Sequence, residues 1–462
     1  MVVGNAPEAV DLVVIGAGPG GYTAALHAAS RGRDVTLIDR GGDAAVGGVC
    51  LHAGCIPSKT LIEAAGVFHR SQHSKDMGVS VDSAHFDLAQ FHRFKGGVID
   101  GLAGGVRGKL THAGVSTLTG TARFMDSKTL VLSAEDGAAR FLQFKDCIVA
   151  TGSRPVAVPG FAFGERVLDA HGALQLDTVP STLAVVGGGY IGLELGCAFA
   201  KLGTAVSVVE ALDRVLPTLP AGPAVPLQRR MASLGVRFHF GCRATAYDGG
   251  ALTIADAAGD THALDAEYVL MAVGRTPNTD DLELEAAGLG TNAKGLLEVD
   301  IDRRLTPHIA AIGDITPGPA LAHKASAEAI VAVDALCGDT TAFEPEAMPL
   351  IVFTDPEIAH VGLDADQAKA DGIDASSHKL PLRASGRAAT LGETDGYVEL
   401  TRARDDGTLL GATVVGPHAS ELIAELCVAI ELGASVEDLA LTVHPHPTLS
   451  ELTMDVAGLA GR

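Results

Sequence analysis

Residues 11–22 read DLVVIGAGPGGY, and this stretch decides the fold of the first part of the chain. Its first five residues are apolar enough for a buried strand, and the alanine-rich sequence after the glycines predicts a helix. Gly16 permits a tight turn, Gly18 lets a pyrophosphate approach the backbone, and Gly21 allows the helix to pack closely on the strand. The stretch therefore predicts the start of a βαβ unit that binds a dinucleotide.

Asp39 supports this prediction because it ends the next predicted strand, 34–38. A carboxylate at this position can accept hydrogen bonds from the ribose of a dinucleotide. A glycine-rich turn that binds nothing is the alternative, but it explains neither the strand–helix–strand order nor the acidic residue.

The same pattern occurs a second time in residues 183–192, LAVVGGGYIG. Its glycines are Gly187, Gly189 and Gly192, and Glu210 follows them at the spacing of the acidic residue in the first unit. A carboxylate here accepts the ribose hydroxyls and repels a 2′-phosphate, which favours NAD over NADP. The two units predict two dinucleotide sites in one polypeptide.

Residues 47–60, GGVCLHAGCIPSKT, carry two cysteines and are interpreted as a redox-active disulfide at the start of a helix. Pro57 is favoured in a first helical turn, so Cys55 would lie at the positive end of the helix dipole, which stabilises a thiolate. Lys59 would follow one turn later on the same face. In one regular helix the Cα atoms of Cys50 and Cys55 would be roughly 8–9 Å apart, more than the ~7 Å that a disulfide tolerates. The glycines that can supply the required bend are Gly47, Gly48 and Gly54.

The spacing of the cysteines alone leaves other interpretations open. Two buried, unreactive cysteines would have the same spacing. A zinc site is disfavoured because only His52 lies nearby and no second pair of ligands follows at the usual spacing. The other cysteines are predicted to be small core residues; they are Cys147, Cys197, Cys242, Cys337 and Cys427.

Composition excludes several classes of function. The chain has 462 residues, 47% of them hydrophobic, and a formal net charge of −22. This acidic balance argues against nucleic acid and anionic membrane surfaces as partners. No apolar run is long enough to span a membrane and no signal peptide is visible. One redox pair without a disulfide framework suits a reducing compartment, so we expect a cytoplasmic location.

Further elements are predicted between and after the two units. Strands are expected at 118–124, 128–132, 140–149 and 268–273, and a helix at 321–336. A proline-containing linker follows, and from about residue 350 strand-like and helical runs alternate without a glycine fingerprint.

The motifs in their order resemble those of the flavin-dependent pyridine nucleotide–disulfide oxidoreductases over residues 11–451, and most closely those of the members that oxidise dihydrolipoamide. Besides the stretches above, the resemblance is carried by ATGSRP, VGRTPN, IGD, LAHKASAE, TDPEIAHVG and HPHPTLSE, at 150–155, 273–278, 312–314, 321–328, 354–362 and 444–451.

The resemblance implies an α/β fold with two Rossmann-like dinucleotide-binding domains and an α+β C-terminal dimerisation domain. The expected domains are FAD-binding at 1–155, NAD-binding at 156–276, a central segment completing the FAD domain at 277–345, and an interface domain at 346–462. It also implies a homodimer.

The resemblance assigns cofactor-binding residues as well. Asp39 would hold the adenosine ribose of FAD, Asp314 the ribityl chain, and Lys59 would lie near flavin N5, paired with Glu194. Ala122 would contact the adenine side through its backbone. The residues expected to bind FAD or NAD are Gly16, Gly18, Gly21, Asp39, Lys59, Ala122, Thr151, Gly152, Gly187, Gly189, Ile191, Gly192, Glu194, Glu210, Gly274, Asp314 and Ala322. No metal is expected.

Four residues would be catalytic by the same resemblance. Cys50 would exchange with the substrate dithiol, and Cys55 would form the thiolate beside the flavin. His446, oriented by Glu451, would be the acid–base that reaches the disulfide of the partner subunit. Without the resemblance, a turn histidine in a proline-rich loop is the simpler interpretation of His446.

The function implied is the oxidation of protein-bound dihydrolipoamide to lipoamide with reduction of NAD+ to NADH. The expected partner is the lipoylated acyltransferase of a 2-oxo acid dehydrogenase complex. Two alternatives stay open: an NAD(P)H-dependent reductase of another small disulfide, and a subunit that mainly docks or responds to redox state. The chain departs from the family pattern in Asp39, where Glu is commoner, in His52, where Asn is usual, and in Pro445, which stiffens its loop.

Overall fold

The computed structural model describes residues 7–134 and 137–461. The helices of these residues are α1 (Pro19–Ser30), α2 (Gly48–His52), α3 (Cys55–His73), α4 (Leu88–His112), α5 (Ala170–Ala173), α6 (Tyr190–Lys201), α7 (Ala221–Ser233), α8 (Ala322–Leu336), α9 (Ala365–Ala370), α10 (Gly386–Leu391), α11 (Ala419–Glu431), α12 (Val436–Leu441) and α13 (Glu451–Ala460). None of these helices is both long enough and apolar enough to cross a lipid bilayer.

The strands of the same residues are β1 (Glu8–Ile15), β2 (Val35–Asp39), β3 (Ser116–Thr119), β4 (Thr121–Phe124), β5 (Thr129–Ser133), β6 (Ala139–Val149), β7 (Ser153–Pro155), β8 (Val167–Leu168), β9 (Thr182–Val186), β10 (Ala205–Glu210), β11 (Arg237–Phe240), β12 (Arg243–Tyr247), β13 (Ala251–Ala255), β14 (Thr261–Asp265), β15 (Tyr268–Met271), β16 (Arg275–Pro277), β17 (Arg304–Thr306), β18 (Ile309–Ala311), β19 (Leu350–Val352), β20 (Glu357–Gly362), β21 (Ala375–Pro381), β22 (Tyr397–Ala403) and β23 (Leu409–Gly416).

The chain divides into two compact units. The first contains the residues up to 60 together with 89–156 and 274–344, and the second contains 61–88, 157–273 and the residues from 345 onward. The four-domain division expected from the sequence stays a prediction.

The first unit is built on an eight-stranded sheet. Its central strands are parallel, in the order β18–β6–β1–β2–β3. Strand β17 pairs antiparallel with β18, while β4, β5 and the first half of β6 form an antiparallel extension. This order places the loops after β1, β2, β6 and β18 at one edge of the sheet, where α/β folds bind their ligands.

Strand β1 is buried on both faces, as expected within a parallel sheet. Leu12 and Val14 pack in the core that contains α1 and α8. Val13 and Ile15 pack in the opposite core, which contains β4 and β5. The strand starts three residues before the predicted one because its first residues pair with β6.

The second unit contains a parallel sheet and two antiparallel ones. The parallel sheet has the order β11–β10–β9–β15–β8. Strands β12, β13 and β14 form a small antiparallel sheet. The C-terminal sheet, β19–β20–β23–β22–β21, is antiparallel and shares a core with α11 and α13. The α/β class with an α+β C-terminal portion, predicted from the sequence, is confirmed.

Several predicted elements have different limits in the structure. The strand predicted at 118–124 is wrong as a single element, because Gly120 has a φ of +149° and separates β3 from β4. The strand predicted at 268–273 ends at Met271. The sequence analysis did not identify α4, β20 or β21.

In both glycine motifs, backbone oxygen atoms lie so close to a glycine that a side chain would not fit there. A Cβ atom on Gly16 would lie 2.3 Å from the carbonyl oxygen of Ala150, and Gly16 has a φ of +103°. A Cβ atom on Gly21 would lie 1.7 Å from the oxygen of Gly16, and one on Gly192 would lie 2.6 Å from that of Gly187. These distances are far below van der Waals contact, so the helix can approach its strand only where these residues are glycine.

We predict that Gly21→Ala destabilises the flavin-free protein, because the new methyl group displaces α1 from β1. The cost is about 1–3 kcal/mol, as for other overpacked sites. Gly18→Ala is the matched control: a Cβ atom there meets nothing within 4 Å, so the cost should be below about 1 kcal/mol. Thermal unfolding of both apoproteins measures the difference, and equal midpoints would contradict the close-packing argument.

Candidate active site and cofactor sites

The first glycine loop is fixed by Asp39, the last residue of β2. One carboxylate oxygen of Asp39 accepts a hydrogen bond from the N–H of Ala17 at 2.9 Å, and the other accepts one from Gly41 at 3.0 Å. A carboxylate has about four lone-pair positions, so two acceptor positions are left for the hydroxyl groups of a ribose.

The second glycine loop is fixed in the same way by Glu210, the last residue of β10. Its carboxylate accepts hydrogen bonds from the N–H of Gly188 at 2.6 Å and of Leu212 at 2.8 Å. The two acids therefore occupy equivalent positions in two equivalent loops, although one side chain is a methylene longer. Both retain the capacity to accept from a ribose.

The middle glycine of each motif leaves room for a ligand. Gly18 and Gly189 each begin a long helix as its N-cap residue, and a Cβ atom on either would meet no atom within 4 Å. The helix N-terminus and this open backbone suit the pyrophosphate of a dinucleotide. Both loops thus fit the cofactors expected from the sequence. Ile191 lies in the first turn of α6.

Thr151 and Gly152 form a turn that is closed by Asn278. The hydroxyl of Thr151 donates to the carbonyl oxygen of Asn278 at 2.7 Å, and the side-chain amide of Asn278 donates back to the carbonyl of Thr151 at 2.9 Å. Gly274 accepts from the N–H of Val156 beside the β7–β16 pair. The structure therefore brings the ATGSRP and VGRTPN motifs together within the first unit.

Asp314 is held by residues that the sequence analysis missed. Its carboxylate accepts a hydrogen bond from the hydroxyl of Ser153, which in turn accepts one from Arg275 at 2.7 Å. The two partners come from β7 and β16, far from Asp314 in sequence. Because these residues are far apart in the sequence, no short sequence motif could have indicated the contacts from Arg275 to Ser153 and from Ser153 to Asp314.

Glu328 holds the turn that carries Asp314. Its side chain is fully buried and accepts a hydrogen bond from the N–H of Gly313 at 2.7 Å. It also pairs with Lys324 at 3.0 Å and with Arg303 at 3.2 Å. One buried carboxylate thus binds two cations and a backbone N–H. The i,i+4 spacing of Lys324 and Glu328 is a signal that could have identified the pair from the sequence.

The other expected cofactor residues lie in regular elements. Ala122 is buried in β4, and Ala322 is the first residue of α8. Glu194 is buried in α6, where its carboxylate accepts a hydrogen bond from the N–H of Phe353 at 2.9 Å. The pairing of Glu194 with Lys59 stays a prediction.

The two cysteines lie on either side of a helix break, as predicted. Helix α2 ends at His52 and α3 begins at Cys55, with Pro57 in its first turn. Gly47 and Gly48 have φ values of +105° and +61° and supply the bend before Cys50. Gly54 is not in the left-handed region.

The cysteine segment is attached to the first glycine loop. The N–H of Gly47 donates to the carbonyl oxygen of Ala17 at 2.8 Å. A Cβ atom on Gly48 would lie 2.6 Å from the Cα atom of Gly18. The redox candidate and the first dinucleotide loop therefore form one piece of structure.

Cys147, Cys197, Cys242, Cys337 and Cys427 are free thiols. A hydrogen bond to Cys55, together with burial, raises the pKa of the Cys50 thiol. The charge of Lys59 opposes this shift to a smaller extent. A stabilised thiolate at Cys55 stays a prediction.

His52 contacts the carbonyl oxygen of Val46 at 2.9 Å through Nε2 and so helps to hold the bent segment.

His446 and Glu451 are brought together in the second unit. Nδ1 of His446 lies 2.8 Å from a carboxylate oxygen of Glu451, whose other oxygen accepts from the N–H of Thr448 at 2.8 Å. The Thr448 N–H and the hydrogen bond from His446 lower the pKa of Glu451, so it is ionised at neutral pH. Nδ1 must then carry the proton, and Nε2 is the nitrogen left to accept one. The His446 side chain is 80% exposed.

Comparison with known proteins identifies what the chain is similar to. Residues 10–329 match the family described as pyridine nucleotide-disulphide oxidoreductase, and residues 348–457 match the dimerisation domain of that family. The dihydrolipoyl dehydrogenase of Halobacterium salinarum is 48% identical over 99% of this chain and 97% of its own length. That of Geobacillus stearothermophilus is 44% identical over 100% and 98%.

Two solved structures of flavoproteins or their relatives have a fold similar to that of this chain. LpdA from Mycobacterium tuberculosis has a TM-score of 0.90 and 31% identity, and the match covers 97% of this chain and 99% of that one. A Cu(II) complex of the HOCl-induced flavoprotein disulfide reductase RclA from Escherichia coli has a TM-score of 0.87 and 26% identity, with 98% and 99% covered.

We predict that Glu328→Gln destabilises the protein by about 3–5 kcal/mol, because it leaves Lys324 and Arg303 buried without their anion. The turn at Asp314 loosens as well, so less flavin is retained during purification. Glu285→Gln, on the exposed surface of the same unit, is the control. Thermal unfolding of the apoprotein and the flavin content per chain measure the two effects; a variant that equals the control in both would refute this role of Glu328.

Proposed function

Since the chain belongs to the pyridine nucleotide–disulphide oxidoreductase family, we propose that it oxidises protein-bound dihydrolipoamide to lipoamide, with FAD as its flavin and NAD+ as the final acceptor. The named relatives, which match over their full length, favour this activity over the reduction of another small disulfide. The dimerisation domain supports a homodimer.

The attachment of the cysteine segment to a dinucleotide loop is the observation that carries this proposal. A dithiol–disulfide pair next to a bound flavin can receive electrons from a thiol substrate and pass them on. The hydrogen bond from Gly47 to Ala17 keeps the pair in that position. FAD, once bound beside this pair, would supply the two-electron chemistry and the hydride transfer to NAD+.

His446 begins the reaction by taking a proton from one thiol of the substrate. Glu451 holds the ring with Nε2 available, so the proton goes to that nitrogen. The substrate thiolate attacks Cys50 of the oxidised pair and breaks the bond to Cys55. The second substrate thiol then displaces Cys50, and lipoamide leaves. The substrate loses two electrons, and the two cysteines gain them as a thiol and a thiolate.

Cys55 is suited to be the leaving sulfur because it is the first residue of α3. The positive end of a helix dipole favours a thiolate. Lys59 lies one helical turn further and adds a positive charge on the same face. These two features support the assignment of Cys55 as the thiolate beside the flavin.

Asp39 and Glu210 would bind the riboses of FAD and NAD, respectively. The free acceptor positions on both carboxylates support this, and a carboxylate at Glu210 repels the 2′-phosphate of NADP. Asp314, held by Ser153, would bind the ribityl chain. The remaining glycines and Thr151 would contact the cofactors through the backbone.

The partner in the cell would be the lipoylated acyltransferase of a 2-oxo acid dehydrogenase complex, because that subunit presents the dihydrolipoyl group. A cytoplasmic location fits the other five cysteines, which are free thiols and form no disulfide framework.

The active site would be shared between two subunits. A general base must come within about 2.6–3.2 Å of the proton it removes. The exposed ring of His446 leaves Nε2 accessible to a second subunit across a two-fold interface. By family resemblance, His446 of one subunit serves the cysteines of its partner.

We predict that His446→Gln lowers dihydrolipoamide oxidation by roughly 10²–10⁴-fold, the usual contribution of a general base, while FAD binding and dimerisation persist. Cys50→Ser should also be inactive. Heterodimers of the two variants should recover activity, because one of their two sites then contains both native residues. Inactive heterodimers, confirmed by native mass spectrometry, would refute the shared site.

A further inference from the structure

A second histidine of the C-terminal loop, His444, is buried and bonded at both ring nitrogens. Its side chain is 4% exposed. Nδ1 lies 2.9 Å from the carbonyl oxygen of Thr442, and Nε2 lies 2.7 Å from a carboxylate oxygen of Glu425 on α11. The sequence analysis assigned no role to His444 or Glu425.

Both contacts require His444 to donate. A carbonyl oxygen and an ionised carboxylate can only accept hydrogen bonds, whereas a neutral imidazole has a single N–H. Only the imidazolium form donates from both nitrogens at once. The geometry therefore matches an imidazolium at His444 paired with the anion of Glu425.

His446 has the opposite arrangement two residues later. Only its Nδ1 is bonded, to Glu451, and its ring is exposed. The loop thus carries one histidine that is bonded at both ring nitrogens and one that is bonded at Nδ1. The charge of His444 acts on the second pair, since it contributes to the lowered pKa of Glu451 after the Thr448 N–H and His446.

The helices of the C-terminal portion carry other titratable groups. They are Glu421, Glu425 and Glu431 on α11, Glu437 and Asp438 on α12, and Glu451 and Asp455 on α13. Asp438 is bonded to Ser435 at the start of its own helix. Glu425 and Glu451 are the ones that bond to the two rings. These groups are acidic, so His444 supplies the positive charge that opposes their field at His446.

We propose that His444, as an imidazolium bound to Glu425, is a positioning residue that anchors the catalytic loop to α11 and keeps His446 in its proton-accepting form at neutral pH. The inference rests on the proposed role of His446. Removing the charge of His444 leaves the acidic groups unopposed and makes His446 harder to deprotonate.

The first test is direct observation of the ring by NMR, which does not depend on activity. In the holoenzyme labelled with ¹⁵N-histidine, the His444→Gln variant identifies the His444 signals by their loss. Both nitrogens should have the shifts of protonated nitrogen between pH 7 and 8. In Glu425→Gln one of them should move to the unprotonated range. A nitrogen of wild-type His444 that lacks a proton at pH 7 would overturn the inference.

The second test is the pH dependence of kcat/KM for dihydrolipoamide. In His444→Gln, which leaves the anion of Glu425 unopposed, the acidic limb should move to higher pH by about 0.3–1 unit, the effect expected of one lost charge nearby. In Glu425→Gln the anion and the charge of His444 are lost together, so the limb should move less. Thr448→Val is the matched control, because it removes the hydroxyl bond to Pro445 and loosens the loop without changing charge. Its kcat/KM should fall while the acidic limb stays at the wild-type pH.

The outcomes separate this inference from the proposed function. A fully active His446→Gln enzyme would refute the role of His446 and this inference together. An inactive His446→Gln enzyme, with an unshifted profile in His444→Gln, would refute the inference alone.

Discussion

A carboxylate at the end of a strand, bonded to the N–H of a glycine loop, is the constraint on which both halves of this chain depend. Asp39 binds Ala17, and Glu210 binds Gly188. Each bond ties two neighbouring strands together at the edge of a parallel sheet, where a helix begins. Because each acid uses only part of its acceptor capacity, the same group can stabilise the empty loop and bind a ribose.

The first of these loops fixes the position of the segment that carries Cys50 and Cys55. Gly47 bonds to Ala17 and Gly48 lies against Gly18, so a change in the loop would also move Cys50. A two-electron relay needs this rigidity, since the flavin and the sulfur atoms must keep a fixed separation. In the C-terminal portion carboxylates again hold the side chains in place: Glu451 bonds to His446, and Glu425 bonds to His444.

Short-range patterns account for what the sequence predicted correctly. Gly16, Gly21 and Asp39 follow a fixed order, because strand, turn and helix geometry requires them at those spacings. The break between Cys50 and Cys55 was predicted from helix geometry together with the interpretation of the two cysteines as a disulfide. The wrongly predicted limits of strands also have local causes. At Gly120, a residue with a positive φ divides what the sequence pattern predicts as one strand.

Long-range partners could not be predicted in this way. Ser153 donates to Asp314 and accepts from Arg275 because β7 and β16 pair with each other, and Glu425 on α11 contacts His444 of the C-terminal loop. Such contacts depend on tertiary packing and leave no periodic trace in the sequence. Lys324 and Glu328 are the exception, since their helical spacing is visible, but nothing in it indicates that both are buried.

Differential alkylation tests the central claim, that Cys50 and Cys55 receive the electrons of dihydrolipoamide, most directly. One equivalent of dihydrolipoamide is added to the enzyme in the absence of oxygen and of NAD+. Samples taken before and after the addition are quenched in denaturant and alkylated, and peptide mass spectrometry measures the alkylation of each cysteine. The account predicts that Cys50 and Cys55 resist alkylation before addition and become alkylated after it, while the other cysteines do not change. Equal alkylation of both before and after addition, or a change at a different cysteine, would contradict it.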